Sequence, residues 1–208
     1  MGPLGRRLFN SRWRARSQTR TTTPTWLRLG GSLTGSRVLE LGCGCGVGID
    51  LLLGPMNAAE AHAIDLDPVM VALAARRVGT RASVMTGEMG ALPIGDCSYD
   101  AVVGFGALHL ADDWRRQVGE VARVLRPGGR FYFEQPINPA YRWAIARPGG
   151  GRVPGGFGES ELVQAIQHAG LGVVGLARVG PGGLDLIGVA QKHDHPGALS
   201  TPCPPMSQ

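Results

Sequence analysis

At 208 residues the chain is long enough for one domain with short extensions, and a two-domain enzyme is not expected. Hydrophobic residues at 43% and charged residues at 18% permit a buried core and exclude disorder throughout, and no apolar run nears the roughly 20 residues that a membrane span needs. The net charge of +5 is uneven, because residues 1–37 hold eight arginines and no acid, while the rest sets 13 bases against 16 acids. Nucleic acid is therefore not an expected partner, since such a partner would want a basic stripe on the folded body itself.

The N-terminal 36 residues read as a basic extension or cap, with Trp13, Trp26 and Leu27 as packing residues. An Arg-, Ser- and Thr-rich start without acids also suits a mitochondrial presequence, and that alternative stays open. From Arg37 onward, short apolar runs alternate with helical ones. Strands are expected at 37–41, 61–65, 82–86, 99–105 and 130–134, with helices through Leu51–Leu53, from Pro68 to about Val78, and after Asp112 or Asp113. Residues 136–158, with six Gly and four Pro, form a loop insertion in which Tyr141, Trp143 and Phe157 are aromatic anchors. A helix near 159–169 and strands near 171–177 and 184–191 follow, and residues 192–208 read as a disordered tail.

This alternation implies right-handed βαβ crossovers, hence an α/β, Rossmann-like, mostly parallel seven-stranded sheet with helices on both faces. The Gly180-Pro-Gly-Gly183 link between the last two strands is too short for a crossover, so they form an antiparallel C-terminal hairpin. Residues 37–191 would make up the domain. The four cysteines of the whole chain show neither zinc spacing nor a C-x-x-C pair, so no metal site and no disulfide framework are expected, and the reducing cytoplasm is the expected compartment.

Between the first strand and first helix stands Glu40-Leu-Gly42-Cys-Gly44-Cys-Gly46-Val-Gly48. Glycines at a strand's carboxyl end let a ligand approach the backbone closely. The dinucleotide fingerprint fails at Val47 and Ile49, and no Gly-Lys-Ser/Thr completes a phosphate-binding Walker loop. What remains is an acid, then G-x-G-x-G, then Asp65 at the end of the second strand, placed to accept from both hydroxyls of a ribose.

At these residues the chain resembles the class I S-adenosylmethionine-dependent methyltransferases, particularly small-molecule enzymes like those of quinone biosynthesis. Four blocks carry the resemblance in family order: Val38-Leu-Glu-Leu-Gly-Cys-Gly-Cys-Gly46; Ala63-Ile-Asp-Leu-Asp-Pro68; Gly87-Glu-Met-Gly-Ala-Leu-Pro93 with Ser98-Tyr-Asp-Ala-Val102; and Glu120-Val-Ala-Arg-Val-Leu-Arg-Pro-Gly-Gly129. The resemblance implies S-adenosylmethionine as cofactor. Gly42, Gly44 and Gly46 would flank its methionine portion, Asp65 would hold the ribose, Leu66 would cover the adenine face, and Glu88 would accept from the adenine amino group. Phe105 and Leu108 would lie beside the sulfonium, and Glu40 would orient the loop or accept backbone donors. Glu88 stands where relatives often have Asp, and Leu108-His109-Leu110 stands where many have Leu-His-His.

His109 and Glu134 are the catalytic candidates, each at a strand's carboxyl end where a base would be useful, although a histidine there is more often a helix-start or packing residue and Glu134 is equally explicable as a solvated strand end. The implied function is methyl transfer to a small or lipid-like acceptor by in-line displacement, with an RNA methyltransferase or a non-catalytic cofactor-binding scaffold as alternatives. Acceptor choice would reside in residues 1–36 and 136–158. Oligomeric state is not legible in the sequence.

Overall fold

The computed structural model describes residues 12–110, 113–137 and 157–194. One seven-stranded sheet has the order β3-β2-β1-β4-β5-β7-β6. Strands β1 (Arg37–Leu41), β2 (Glu60–Asp65), β3 (Ser83–Thr86), β4 (Tyr99–Phe105) and β5 (Leu125–Pro136) pair in parallel, whereas β7 (Asp185–Lys192) runs antiparallel to both β5 and β6 (Leu171–Val179).

Side chains of the strands alternate between two cores, as the pleat requires. Val38, Val103, Tyr132 and Val189 face one side, while Leu39, Leu41, Phe131, Phe133 and Leu186 face the other. Helices α2 (Val47–Leu53) and α3 (Pro68–Val78) serve the first side, and α4 (Trp114–Val124) and α5 (Glu159–His168) the second. Two of these helices begin where their caps dictate. Asp67 accepts from the Val69 amide ahead of α3, with Pro68 at the first position, and Asp113 accepts from the Arg116 amide ahead of α4.

Two features depart from the sequence reading. β5 starts at Leu125 instead of Arg130, because the Pro127-Gly128-Gly129 stretch stays in the strand as an irregularity: the register jumps between Tyr99↔Leu125 and Ala101↔Arg130, and Gly128 takes a φ of +73°. The larger departure is at the N-terminus. Arg12–Ser17, Gln18–Thr22 and Thr23–Gly30 run on as one helix, α1, whose middle segment is π-helical. Its run of β-branched threonines is a poor helix signal, and packing overrides it. Trp26 is fully buried, its ring 4.6 Å from Phe105 and its indole N–H donating to the Phe133 carbonyl at 3.2 Å. At Gly30 any Cβ would come within 2.7 Å of the Tyr132 ring, so glycine is what lets α1 close down on the sheet.

Trp13, expected to pack, is instead 72% exposed. Phe157 does pack, with its ring 4.3 Å from Trp114, whereas Tyr141, Trp143 and most of the insertion and tail lie outside the described residues. Cys43 is a buried free thiol, and Cys97 is disulfide-bonded, a link that the cysteine spacing does not forecast.

Candidate active site

In an open α/β sheet a ligand sits beyond the strand carboxyl ends where the strand order reverses, which here is the gap between β1 and β4. The glycine loop occupies that position. Gly42, at φ +67°, donates from its amide to the Ile64 carbonyl at 2.8 Å, and a Cβ there would meet Ala107 after β4 at 3.1 Å. The loop and the β4 end are thus in contact across the reversal. Gly46, at φ +82°, faces elsewhere: its missing Cβ makes room for Ala74 of α3 at 3.2 Å, so its place in the motif also has a packing reason.

Asp65 holds the loop in shape. One carboxylate oxygen accepts from the Gly44 amide at 2.9 Å and the other from the Asp67 amide at 2.9 Å, joining the β1 and β2 ends. Each oxygen keeps a further lone pair for a hydroxyl donor. Next to it Leu66 is 68% exposed, an apolar side chain left facing outward at a strand end, and Glu88 is also exposed. An acid with acceptor capacity, an apolar face beside it and a second acid beyond are the donor set that a ribosyl-adenine group requires, so these residues fit the cofactor that the resemblance implies.

Glu40 lies under the loop, almost wholly buried, with its carboxylate against Gly48, where any Cβ would collide with it. Burial, then the nearby Asp65 and Asp50, push its carboxyl well above the usual range. It carries a proton under conditions where an exposed glutamate would not. Burial likewise pushes the Cys43 thiol up, which makes it a poor nucleophile.

Beyond β4 and β5 a second group gathers. Phe105 turns its ring into the core against Trp26, and its carbonyl accepts from the Arg14 guanidinium at 2.6 Å. Leu108 is buried in the opposite core. His109 is 5% exposed and within 3.4 Å of the Gln135 amide oxygen through Nδ1, and burial lowers its pKa to about 4, so the ring is neutral near pH 7. Glu134, buried, accepts from the Thr22 hydroxyl at 3.0 Å. Burial raises its carboxyl above the ordinary range against the opposing pull of Arg14. Of the residues singled out from the sequence, the two catalytic candidates therefore share one cluster beside the cofactor-type set.

Arg14, Thr22 and Gln135 belong to that cluster and were not singled out. Arg14 reads in the sequence as one more base in a basic run, and Thr22 as one of three consecutive threonines. Only the helical spacing of Arg14, Gln18, Thr22 and Trp26 hints that one face of this segment is inward, and the Pro and Thr around it obscure the hint.

Residues 38–129 match the model of a family described as a methyltransferase domain. A phthiotriol/phenolphthiotriol dimycocerosates methyltransferase of Mycobacterium leprae is 32% identical over 117 residues, 55% of this chain and 43% of that protein, so the chain spans less than half of this curated relative. Among solved structures, a methyltransferase in complex with the Haloferax volcanii Trm112 methyltransferase activator is similar with a TM-score of 0.74, at 21% identity over 89% of this chain and 96% of that one. An S-adenosylmethionine-dependent methyltransferase from Mesorhizobium loti is similar with a TM-score of 0.69, at 21% identity over 81% of this chain and 96% of that one. Together with the sheet order and the glycine loop at its reversal, these likenesses identify residues 38–129 as similar to a methyltransferase domain, on a fold shared with solved S-adenosylmethionine-dependent methyltransferases.

Proposed function

We propose that this protein transfers a methyl group from S-adenosylmethionine to a small or lipid-like acceptor. The observation that carries the reading is a juxtaposition: the Asp65-braced glycine loop on one side of the sheet reversal and the buried His109, Glu134 and Gln135 cluster on the other. The name of the Mycobacterium leprae relative, which carries a dimycocerosate, supports the lipid-like class of acceptor.

When bound, the cofactor supplies an electrophilic methyl group on a sulfonium, so the protein needs chiefly to align the acceptor and keep water out. Asp65 takes the ribose hydroxyls on its remaining lone pairs. Leu66 covers the adenine face, and Glu88 accepts from its amino group. Gly42, Gly44 and Gly46 let the backbone approach the methionine portion, and the chain from Phe105 to Leu108 borders the sulfonium side with its backbone, since both of those side chains are turned into the cores.

For a hydroxyl acceptor, His109 is the base. With the Gln135 oxygen accepting from Nδ1–H, the Nε2 lone pair is the one that takes the acceptor's proton. Glu134, held by the Thr22 hydroxyl, accepts a hydrogen bond from a hydroxyl acceptor and orients it toward the methyl group. An acceptor that arrives already deprotonated needs no base.

Calorimetry with S-adenosylmethionine, S-adenosylhomocysteine and NAD tests the cofactor half, with binding of the two sulfur ligands alone as the expected result. A mass-spectrometric search for methylated products in extract supplied with the cofactor tests the acceptor half. NAD binding with no response to either sulfur ligand would overturn the reading.

A further inference from the structure

The outward face of α1 plays no part in this chemistry. Gln18, Thr22 and Trp26 are buried and Arg14 is half-buried, while Trp13, Arg16 and Arg20 come round to the opposite side and are exposed. Further along, Arg28 is also exposed, and residues 1–37 contain no acid to offset these charges.

The position of this face matters as much as its charge. α1 runs opposite to β5: Gly30 lies over Tyr132, Thr22 reaches Glu134, and Arg14 reaches the Phe105 carbonyl beyond the end of β4. The exposed Trp13 therefore stands at the same carboxyl edge of the sheet as His109 and Glu134.

A tryptophan open to water at the end of an arginine-bearing helix suits the boundary between lipid and water, where the ring enters the headgroup layer and the indole N–H still finds acceptors. Arginine forks match phosphate oxygens, and their stems lie against apolar surface. A nucleic acid would be tracked better by a basic groove on the folded body, but the body beyond residue 37 has more acids than bases. A flat helix face with one aromatic suits a plane.

We propose that the outer face of α1, formed by Trp13, Arg16 and Arg20, docks the protein on an anionic bilayer, with the carboxyl edge of the sheet turned toward the lipid. The docking is peripheral: among the described residues no helix is long and apolar enough to cross a membrane. It goes beyond the methyltransferase reading and is testable with neither cofactor nor acceptor present, so either can fail while the other stands.

The full chain is sedimented with vesicles of phosphatidylcholine alone and with vesicles containing phosphatidylglycerol, at low and at raised salt. Anionic vesicles are expected to bind about tenfold or more tightly than neutral ones, and raised salt is expected to weaken that binding, as screening of a polybasic face requires. The R16E/R20E pair should lose at least about tenfold, whereas the charge-keeping R16K/R20K pair should stay within about threefold of the parent. Trp13→Ala should lose several-fold at either salt, because its share is burial of the ring. All these positions are exposed, so thermal melts should match the parent's. Equal binding to the two vesicle types, retained binding by R16E/R20E, or tighter binding of single-stranded RNA than of anionic vesicles at the same salt would overturn the proposal, the last in favour of a nucleic-acid surface.

Discussion

The two sides of the candidate site are built in different ways. On the cofactor side the working contacts are short in sequence: Asp65 binds the amide of Asp67, two residues on, and of Gly44, 21 residues back. On the acceptor side they are long: Arg14 meets Phe105 across 91 residues, and Thr22 meets Glu134 across 112. The first side is a property of two neighbouring loops, and the second exists only once α1 has docked on the finished sheet. A lesion on the acceptor side should then spare the cofactor, and the reverse should not hold, because alignment needs both.

The strongest break in the comparison is Trp26→Ala. Emptying a fully buried tryptophan site costs about 3–5 kcal/mol of stability and loosens α1. Denaturant melts should show that loss, while the S-adenosylmethionine dissociation constant of the folded fraction stays within about threefold of the parent and turnover falls much further. Equal losses in both readouts would mean that the two sides are one unit.

On the other side, Asp65→Ala removes a charged acceptor worth about 1.5–3 kcal/mol, which is roughly tenfold to a hundredfold in cofactor affinity at 1.4 kcal/mol per decade. Asp65→Asn sharpens the reading, because its amide can accept on one side only and turns an N–H against one of the two backbone donors. Unchanged affinity in both folded variants would reduce Asp65 to a loop brace.

The smallest effect is one of pH. His109 titrates near 4 in the folded protein against about 6.5 when exposed, so its contribution to stability is complete above about pH 6.5 and is lost as pH falls toward 4. Near pH 5 the loss reaches about 2 kcal/mol. His109→Gln should remove that acid-side slope in denaturant midpoints compared at about pH 7 and about pH 5. The raised carboxyls of Glu40 and Glu134 act in the opposite sense, their contribution being full below the usual carboxylate range and lost as pH rises, so the slope must be read as the difference between variant and parent.

What could be read from the chain follows the same division. β1 and β4 are found at their expected bounds, and α3 begins at Pro68, because apolar run, cap and turn all lie within a few residues of one another. The reversed hairpin also follows from a local fact, a link of four residues that admits no crossover. Arg14, Thr22 and Gln135 stayed hidden because their partners lie 91, 112 and 26 residues away and no local pattern marks such a distance. The start of β5 is hidden for a related reason: Pro127-Gly128-Gly129 looks like an end, and only pairing with β4 keeps it in the sheet.

The place of β7 between β5 and β6 carries a consequence for how the molecule is made. As the chain leaves the ribosome, β5 emerges with one side paired to β4 and the other side bare, and its lasting neighbour is the final strand of the sheet. Until Asp185–Lys192 arrives, the row of amides and carbonyls from Arg130 to Pro136 stays open to any passing strand. β6 cannot substitute, since β7 lies between it and β5. A nascent chain stalled before residue 185 should therefore be aggregation-prone while already containing every residue of the glycine loop, and a late-stalled product would collect in the insoluble fraction instead of persisting as a weak binder of the cofactor.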